Sequence, residues 1–395
     1  MAKPDIKVLP AEQLKEEMLT AAAQNRTSDI HIDPTNAFLL IRFRIDGVLS
    51  AWAQRHLLEH ETLISHLKIL SELDITQHNI PQEGHFVWTA QNLEDPSKSR
   101  TLDVRTSFFP TVYGEAVVLR LFNRSDLLIN LNDIGLNENN MRLIKELIYK
   151  PHGMVLVTGP AGSGKTTTLY SILNELASAN RNIVTLEDPV EYYLDLVRQS
   201  QISPDRDYTF AAGIRSVLRQ DPDIMMVGEI RDFETTENAI RASLTGHMLL
   251  STLHTNSSIG TISRLLDMKV EKDLLAYSLS GVISQRLVRK NCPDCRANYV
   301  PPPEILQELE MAQGENYVRG RGCATCLNTG FKGRIGIFEI LKVDDDIRRM
   351  ILDDSPTSEL YAVARQKGLT TLREDGAQKI KTGVTTPEEV LRLTL

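Results

Sequence analysis

One octapeptide constrains this chain more than any other segment. Gly159-Pro160-Ala161-Gly162-Ser163-Gly164-Lys165-Thr166, followed by Thr167, fills the phosphate-loop pattern in full. An apolar run of strand type, Met154 to Thr158, leads in, and Thr167-Thr168-Leu169-Tyr170-Ser171-Ile172-Leu173 leads out as a helix. Glycines let the backbone curl so that its N–H groups face a phosphate, and the helix N-terminus adds partial positive charge. Lys165 is placed to reach the β- and γ-phosphates, and the Thr166 hydroxyl to ligate Mg²⁺. ATP and Mg²⁺ are the expected ligands. A plain glycine-rich turn before a helix would need neither the strand nor the spacing.

The surrounding pattern agrees with that loop. Short apolar strands alternate with helices: 154–158, a helix from Lys165, 182–186, a helix near 210–219, 224–227, a helix from Glu234, and 247–252. Such alternation predicts a parallel α/β sheet. The part before it reads differently. Residues 10–24 place Leu14, Met18 and Ala22 on one helical face. Alternating strand-like runs follow, with a hairpin turn at Asp46-Gly47, a helix over 58–74, and strands at 84–90, 101–108 and 117–122. The expected division is a small α+β domain over 1–123, a linker over 124–136 and the ATPase-type domain over 137–395. From about residue 260 the chain reads as mostly helical.

Three further strand ends carry polar residues. Ile224 to Val227 runs into Gly228-Glu229, and a second strand beside the loop strand that ends in an acid suits polarisation of the attacking water. Glu187 follows the strand 182–186, and His254 follows the strand at 247–252. Ligands of open α/β sheets sit at the carboxyl ends of strands, so Lys165, Glu187, Glu229 and His254 should face one crevice. A histidine after an apolar strand is more often a structural hydrogen-bonder, and Glu229 alone could cap a surface loop.

The four cysteines, Cys292, Cys295, Cys323 and Cys326, form two C-x₂-C pairs flanking residues 296–322. Four thiolates suit a closed, tetrahedral, structural Zn²⁺ site. The gap exceeds the roughly 15–20 residues common in such sites, so an insert is expected, with a helix over 303–313. Reduced buried thiols or a redox pair are the alternatives. The zinc segment is taken as 286–330 and the helical C-terminal part as 331–395.

These blocks resemble the ATPases of type II secretion and type IV pilus assembly. The family's Walker A, aspartate-box, Walker B and histidine-box motifs match 159–166, 181–208, 218–232 and 245–256. Ser28 to Pro34, Arg42 to Gly47 and Pro110 to Glu115 look like the family's PAS-like N-terminal domain. The resemblance implies a RecA-like ATPase domain in a homo-hexamer, with ATP sites between the domains. It implies phosphate-reaching arginines, best matched by Arg105 and Arg120, although an arginine in a strand is usually a solvated-face residue. It also implies work on an inner-membrane platform protein, and hence peripheral membrane association through partners. Long members carry a further N-terminal docking domain, whereas this chain begins almost at the PAS-like part. Four-cysteine clusters are typical of the secretion and assembly members, not of the retraction members.

Composition bears on the rivals. Lys and Arg number 44 against 52 Asp and Glu, a net charge of −8. No nucleic-acid partner is expected from that balance, which speaks against a DNA translocase or helicase. No Asn-Lys-x-Asp segment supports a GTPase. A non-catalytic nucleotide-binding scaffold is the rival of another class. No apolar h-region begins the chain, and no apolar run approaches the roughly 20 residues that span a bilayer. A cytoplasmic protein at the inner face of the membrane is the expected setting.

Overall fold

The computed structural model describes residues 8–90, 100–123, 130–314 and 316–394. The chain divides into two compact units, Met1–Leu127 and Leu128–Leu395. Of the expected linker, 124–129 lies outside the described residues.

The first unit runs α1 (Ala11–Gln24), β1 (Thr27–Pro34), β2 (Leu39–Ile45), β3 (Val48–Arg55), α2 (Leu58–Leu70), β4 (Gln82–Ala90), β5 (Arg100–Thr111) and β6 (Gly114–Asn123). Its strands pair antiparallel in the order β3-β2-β1-β6-β5-β4. Asp46 and Gly47 both take positive φ, 49° and 87°, as the tightest hairpin turn requires. Alternate strand residues such as Ile30, Ile32, Ile41, Phe43, Val104 and Leu119 point to one face. They pack there against Leu14, Met18 and Leu19 of α1 and Leu63, Ile64 and Leu67 of α2. The other residues of each strand turn to the opposite, polar face.

The second unit opens with α3 (Glu138–Ile148), β7 (Gly153–Thr158), α4 (Lys165–Leu176), β8 (Ile183–Glu187), β9 (Val197–Gln201), α5 (Phe210–Val217), β10 (Ile224–Val227), α6 (Phe233–Leu244) and β11 (Met248–Leu253). It continues with α7 (Ser258–Asp267), α8 (Lys272–Ser278), β12 (Leu279–Asn291), β13 (Arg296–Tyr299), α9 (Pro303–Glu308), β14 (Tyr317–Gly320) and β15 (Phe331–Lys342). The helices α10 (Asp345–Leu352), α11 (Thr357–Gln366), α12 (Leu372–Lys381) and α13 (Pro387–Thr394) close it. Seven strands form one sheet in the order β15-β12-β7-β11-β10-β8-β9. All neighbours run parallel except β15, which is antiparallel to β12. Every residue of β7, β10 and β11 is buried, the continuous apolar pattern of a sheet covered on both faces.

Three expectations are corrected here. The segment from about 260 is not mostly helical: β12 and β15 are the longest strands of the sheet, so 331–395 begins with a strand. The first eight residues of β12 are all buried, and a fully buried strand lacks the alternation that distinguishes strand from helix. Second, the insert between the cysteine pairs holds only the short α9, together with the ribbon β13-β14. Pro301, Pro302 and Pro303 start that helix, and Glu310, with φ 55°, follows its end. Third, β10 does not lie beside the loop strand, because β11 stands between β7 and β10.

The outer edge of β15 is partly occupied. The Gly336 amide donates to the Ile134 carbonyl at 2.9 Å, and the Phe338 amide to Asp375 Oδ2 at 3.0 Å. Asp375 is fully buried on α12 and also accepts from Asn137 Nδ2 and Lys379 Nζ. Leu131 and Ile134 are buried as well, so 130–136 is packed rather than a free tether.

Candidate functional site

Parallel register brings four strand ends to one edge. Thr158 lies opposite Leu253, Ser251 opposite Val227, and Val227 opposite Leu186. The residues that follow, or close, these strands are the phosphate loop, His254, Glu229 and Glu187.

The loop is built as the glycines demand. Gly159, Gly162 and Gly164 have φ of 150°, 74° and 88°, a region that side chains resist. A Cβ on Gly159 would stand 2.5 Å from the Gln285 carbonyl oxygen, and one on Gly164 would meet Gln285 Nε2 at 2.8 Å. Gly164 is the N-cap of α4 and offers no side chain, so the first N–H groups of that helix stay available. Pro160, Ala161, Gly162 and Thr166 are exposed and Thr167 half-buried, while Ser163 is buried with its hydroxyl unpartnered among the described residues. The Lys165 ammonium donates to the Gly159 and Pro160 carbonyls at 2.9 and 3.2 Å. Burial pushes its pKa down, Glu229 pulls it back up, and Arg286 lowers it further. This cradle of N–H groups, one buried cation and an exposed threonine hydroxyl fits a polyphosphate with a divalent cation.

Glu229 pairs with Arg231, and His254 Nε2 stands 3.8 Å from its second oxygen. The His254 pKa is lowered, first by burial and then by Lys165, so the ring is neutral at neutral pH. Gly228 lets β10 lie against β8: its amide donates to the Leu186 carbonyl at 2.8 Å.

Glu187 sits in a different setting. It is 3% exposed; Tyr170 of α4 donates to one oxygen, and Thr185 and Gln199 donate to the other. The Tyr170 hydroxyl also accepts from the Glu191 amide, and its ring lies 4.2 Å from that of Tyr192. Burial and then Glu187 push the Tyr170 pKa far up, which keeps that hydroxyl a donor. Arg231, Tyr170, Gln199 and Gln285 were not singled out from sequence. Arg231 and Gln199 stand within the motifs already quoted and Tyr170 on the helix that leads out of the loop, whereas Gln285 meets the loop from 117 residues beyond Thr168, its hydrogen-bond partner.

Arg105 and Arg120 lie directly opposite one another on β5 and β6, on the polar face of the first unit. Arg120 donates to Asp29 Oδ1 at 3.0 Å with its side chain 64% exposed, and Arg105 covers the Phe122 ring at 4.3 Å. Arg44 is a second partner of Asp29, at 3.7 Å.

The four cysteine sulfurs lie within 4.8 Å of one another, with Cys292–Cys323, Cys295–Cys326 and Cys323–Cys326 separations of 3.8, 3.9 and 3.7 Å. Thiolates about 2.3 Å from a tetrahedral centre stand roughly 3.8 Å apart, so the donor set fits zinc. Amides of Gly322, Cys323 and Gly330 donate to Cys295 and Cys326 sulfurs at 3.2–3.3 Å, which orients them and offsets their negative charge.

Residues 6–392 match the family described as type II/IV secretion system protein. The chain belongs to this family. It is 47% identical to type II secretion system protein E of Dickeya dadantii strain 3937 over 98% of its own length and 76% of that relative's. In fold, this secretion-family chain is similar to the Legionella pneumophila ATPase DotB, with a TM-score of 0.70 at 22% identity, over 99% of this chain and 97% of that one. It is also similar to the pilus retraction motor PilT with bound ADP, with a TM-score of 0.61 at 25% identity over 96% of each chain.

Proposed function

We propose that this secretion-family member is an ATP-hydrolysing motor that powers pilin or pseudopilin assembly in a type II secretion or type IV pilus system. The observation that carries this reading is the convergence of the Lys165 loop, Glu229 and His254 at one sheet edge. ATP binds through 159–167, with Lys165 on the terminal phosphates and Thr166 on Mg²⁺, which neutralises charge on the transferring phosphoryl. Glu229 orients and activates the attacking water. Glu187 assists from β8 through its hydrogen bonds, and His254 sets the electrostatics of Glu229. Arg105 and Arg120 sense the γ-phosphate.

The finer architectural reading is a RecA-like second unit and a PAS-like first unit. Parallel strand order around the loop supports the former, and an antiparallel sheet with helices on one face supports the latter. The four cysteines hold a structural zinc ion. The motor acts as a homo-hexameric ring, and its nucleotide-driven domain rotation works on a membrane platform protein.

Glu229→Gln tests the chemistry. Hydrolysis should fall by about a hundredfold or more, with ATP affinity within about threefold of the parent, because the loop is untouched. Unchanged turnover would remove Glu229 from its role. Lys165→Ala should lose ATP affinity and turnover together.

A further inference from the structure

Arg286 is the eighth residue of β12 and the first beyond Gln285, whose carbonyl packs against Gly159 of the loop. It is 8% exposed. Its Nη1 donates to that same Gln285 carbonyl at 3.0 Å, and its Nη2 to the Asn256 carbonyl and Oδ1 at 3.0 and 3.3 Å. The guanidinium therefore bridges the middle of β12 and the loop that carries His254, beside the phosphate loop. All three acceptors are uncharged. Among the described residues no carboxylate is placed to form an ion pair with it. Glu339, the acid in its field, accepts from the Ser258 amide and hydroxyl through Oε1 at 2.9 and 2.6 Å.

A buried guanidinium without a paired anion is costly and rare. The cost rises here because Lys165 is a second buried cation in the same field. Glu229 lies in the field of Lys165 and Glu339 in that of Arg286, but neither carboxylate pairs directly with its cation, so an anion brought to the loop would find both without a direct partner. A cavity of about 630 Å³ opens beside Arg286, lined also by Pro160 of the phosphate loop, Asn256, Glu339, Tyr361 and Arg373, among others. Arg373 too donates only to carbonyls, those of Glu308 and Thr394.

We propose that Arg286 is a polyphosphate-binding residue: it faces the phosphate loop from the β12 side and takes the nucleotide's phosphates as its missing counter-ion. The inference rests on the nucleotide reading of the loop and adds a cation from the same unit as Lys165. Its bond to Asn256 links phosphate occupancy to the loop bearing His254.

Displacement of a fluorescent N-methylanthraniloyl ATP by ATP and by AMP tests this on the full chain. Arg286→Gln should weaken ATP by about tenfold or more and AMP by less than about twofold, since a charge-assisted bond to a phosphate is lost. ATP binding at the parent level would overturn the proposal, and so would an equal loss for ATP and AMP, the signature of a merely structural arginine. Arg286→Lys keeps the charge and serves if the glutamine variant does not fold. It should lose ATP affinity by about threefold while AMP is unchanged, and parallel losses or none would again overturn the proposal. Lys165→Ala, measured alongside, separates the failures. A loss at Lys165 with none at Arg286 removes this inference alone, and no loss at Lys165 removes the nucleotide site itself.

Discussion

At the scale of the residue, the phosphate loop is held by conformations that only glycine adopts without strain. Gly162 and Gly164 both have positive φ, but only Gly164 has a neighbour within reach of an added methyl group. Gly162→Ala should therefore cost about 1–2 kcal/mol, the left-handed penalty alone. Gly164→Ala adds a clash with Gln285 and should cost about 1–3 kcal/mol more, with a sharper loss of ATP affinity. Urea denaturation with parallel ATP titration checks the ranking; equal effects would mean that the Gln285 contact is slack. The loop, Glu229 and His254 were legible as residues because each follows an apolar strand in a motif. The partners of Glu187 were not, because a tyrosine on a helix and a glutamine on a short strand carry no label of their own. The same holds for Arg286, whose burial depends on a pairing between β12 and β7 that periodicity does not reveal.

At the scale of the element, β12 and β15 span the unit's two chemistries. They pair over nearly their whole length, and the cysteine pairs follow the end of one and precede the start of the other. The parallel strands 153–158, 183–187, 224–227 and 248–253 could be read from sequence because each is a short apolar run set off by a helix. β12 could not, since a long buried run serves helix and strand equally. The cysteine segment was legible in its cysteine pairs, which the fold brings together, and not in its filling: β13 and β14 have four residues each, too few to show alternation. Removing zinc with a chelator should loosen this ribbon first. Hydrogen exchange should rise over 292–330 while β7 and α4 stay protected, and one zinc ion per chain should appear in solution by metal analysis. Exchange that stays unchanged after the metal has left would show that the ribbon stands without it.

At the scale of the whole molecule, each unit has its own apolar core, and no helix among the described residues is long and apolar enough to cross a membrane. Charge on the first unit's polar face is local, a row in which Arg105, Arg120 and Asp29 pair across three strands. Replacing both arginines with alanine should leave that unit folded, because Asp29 keeps Arg44 and the residues lost lie off the core. Hydrolysis should fall by about tenfold or more, the scale of losing phosphate-directed arginines. Light scattering with and without ATP would show whether the rings proposed here still form; unaffected hydrolysis would free both arginines from the phosphate.

One carboxylate on α12 has a reach beyond its own neighbourhood. Asp375 occupies an amide on the free flank of β15, which would otherwise stand ready to recruit a foreign backbone. Asp375→Ala also strands Lys379 in the interior, so the variant should melt earlier than the parent. It should then form thioflavin-positive deposits on storage, whereas a variant that merely unfolds should precipitate without that dye signal. A single buried acid would thus act as a guard against templated fibre growth.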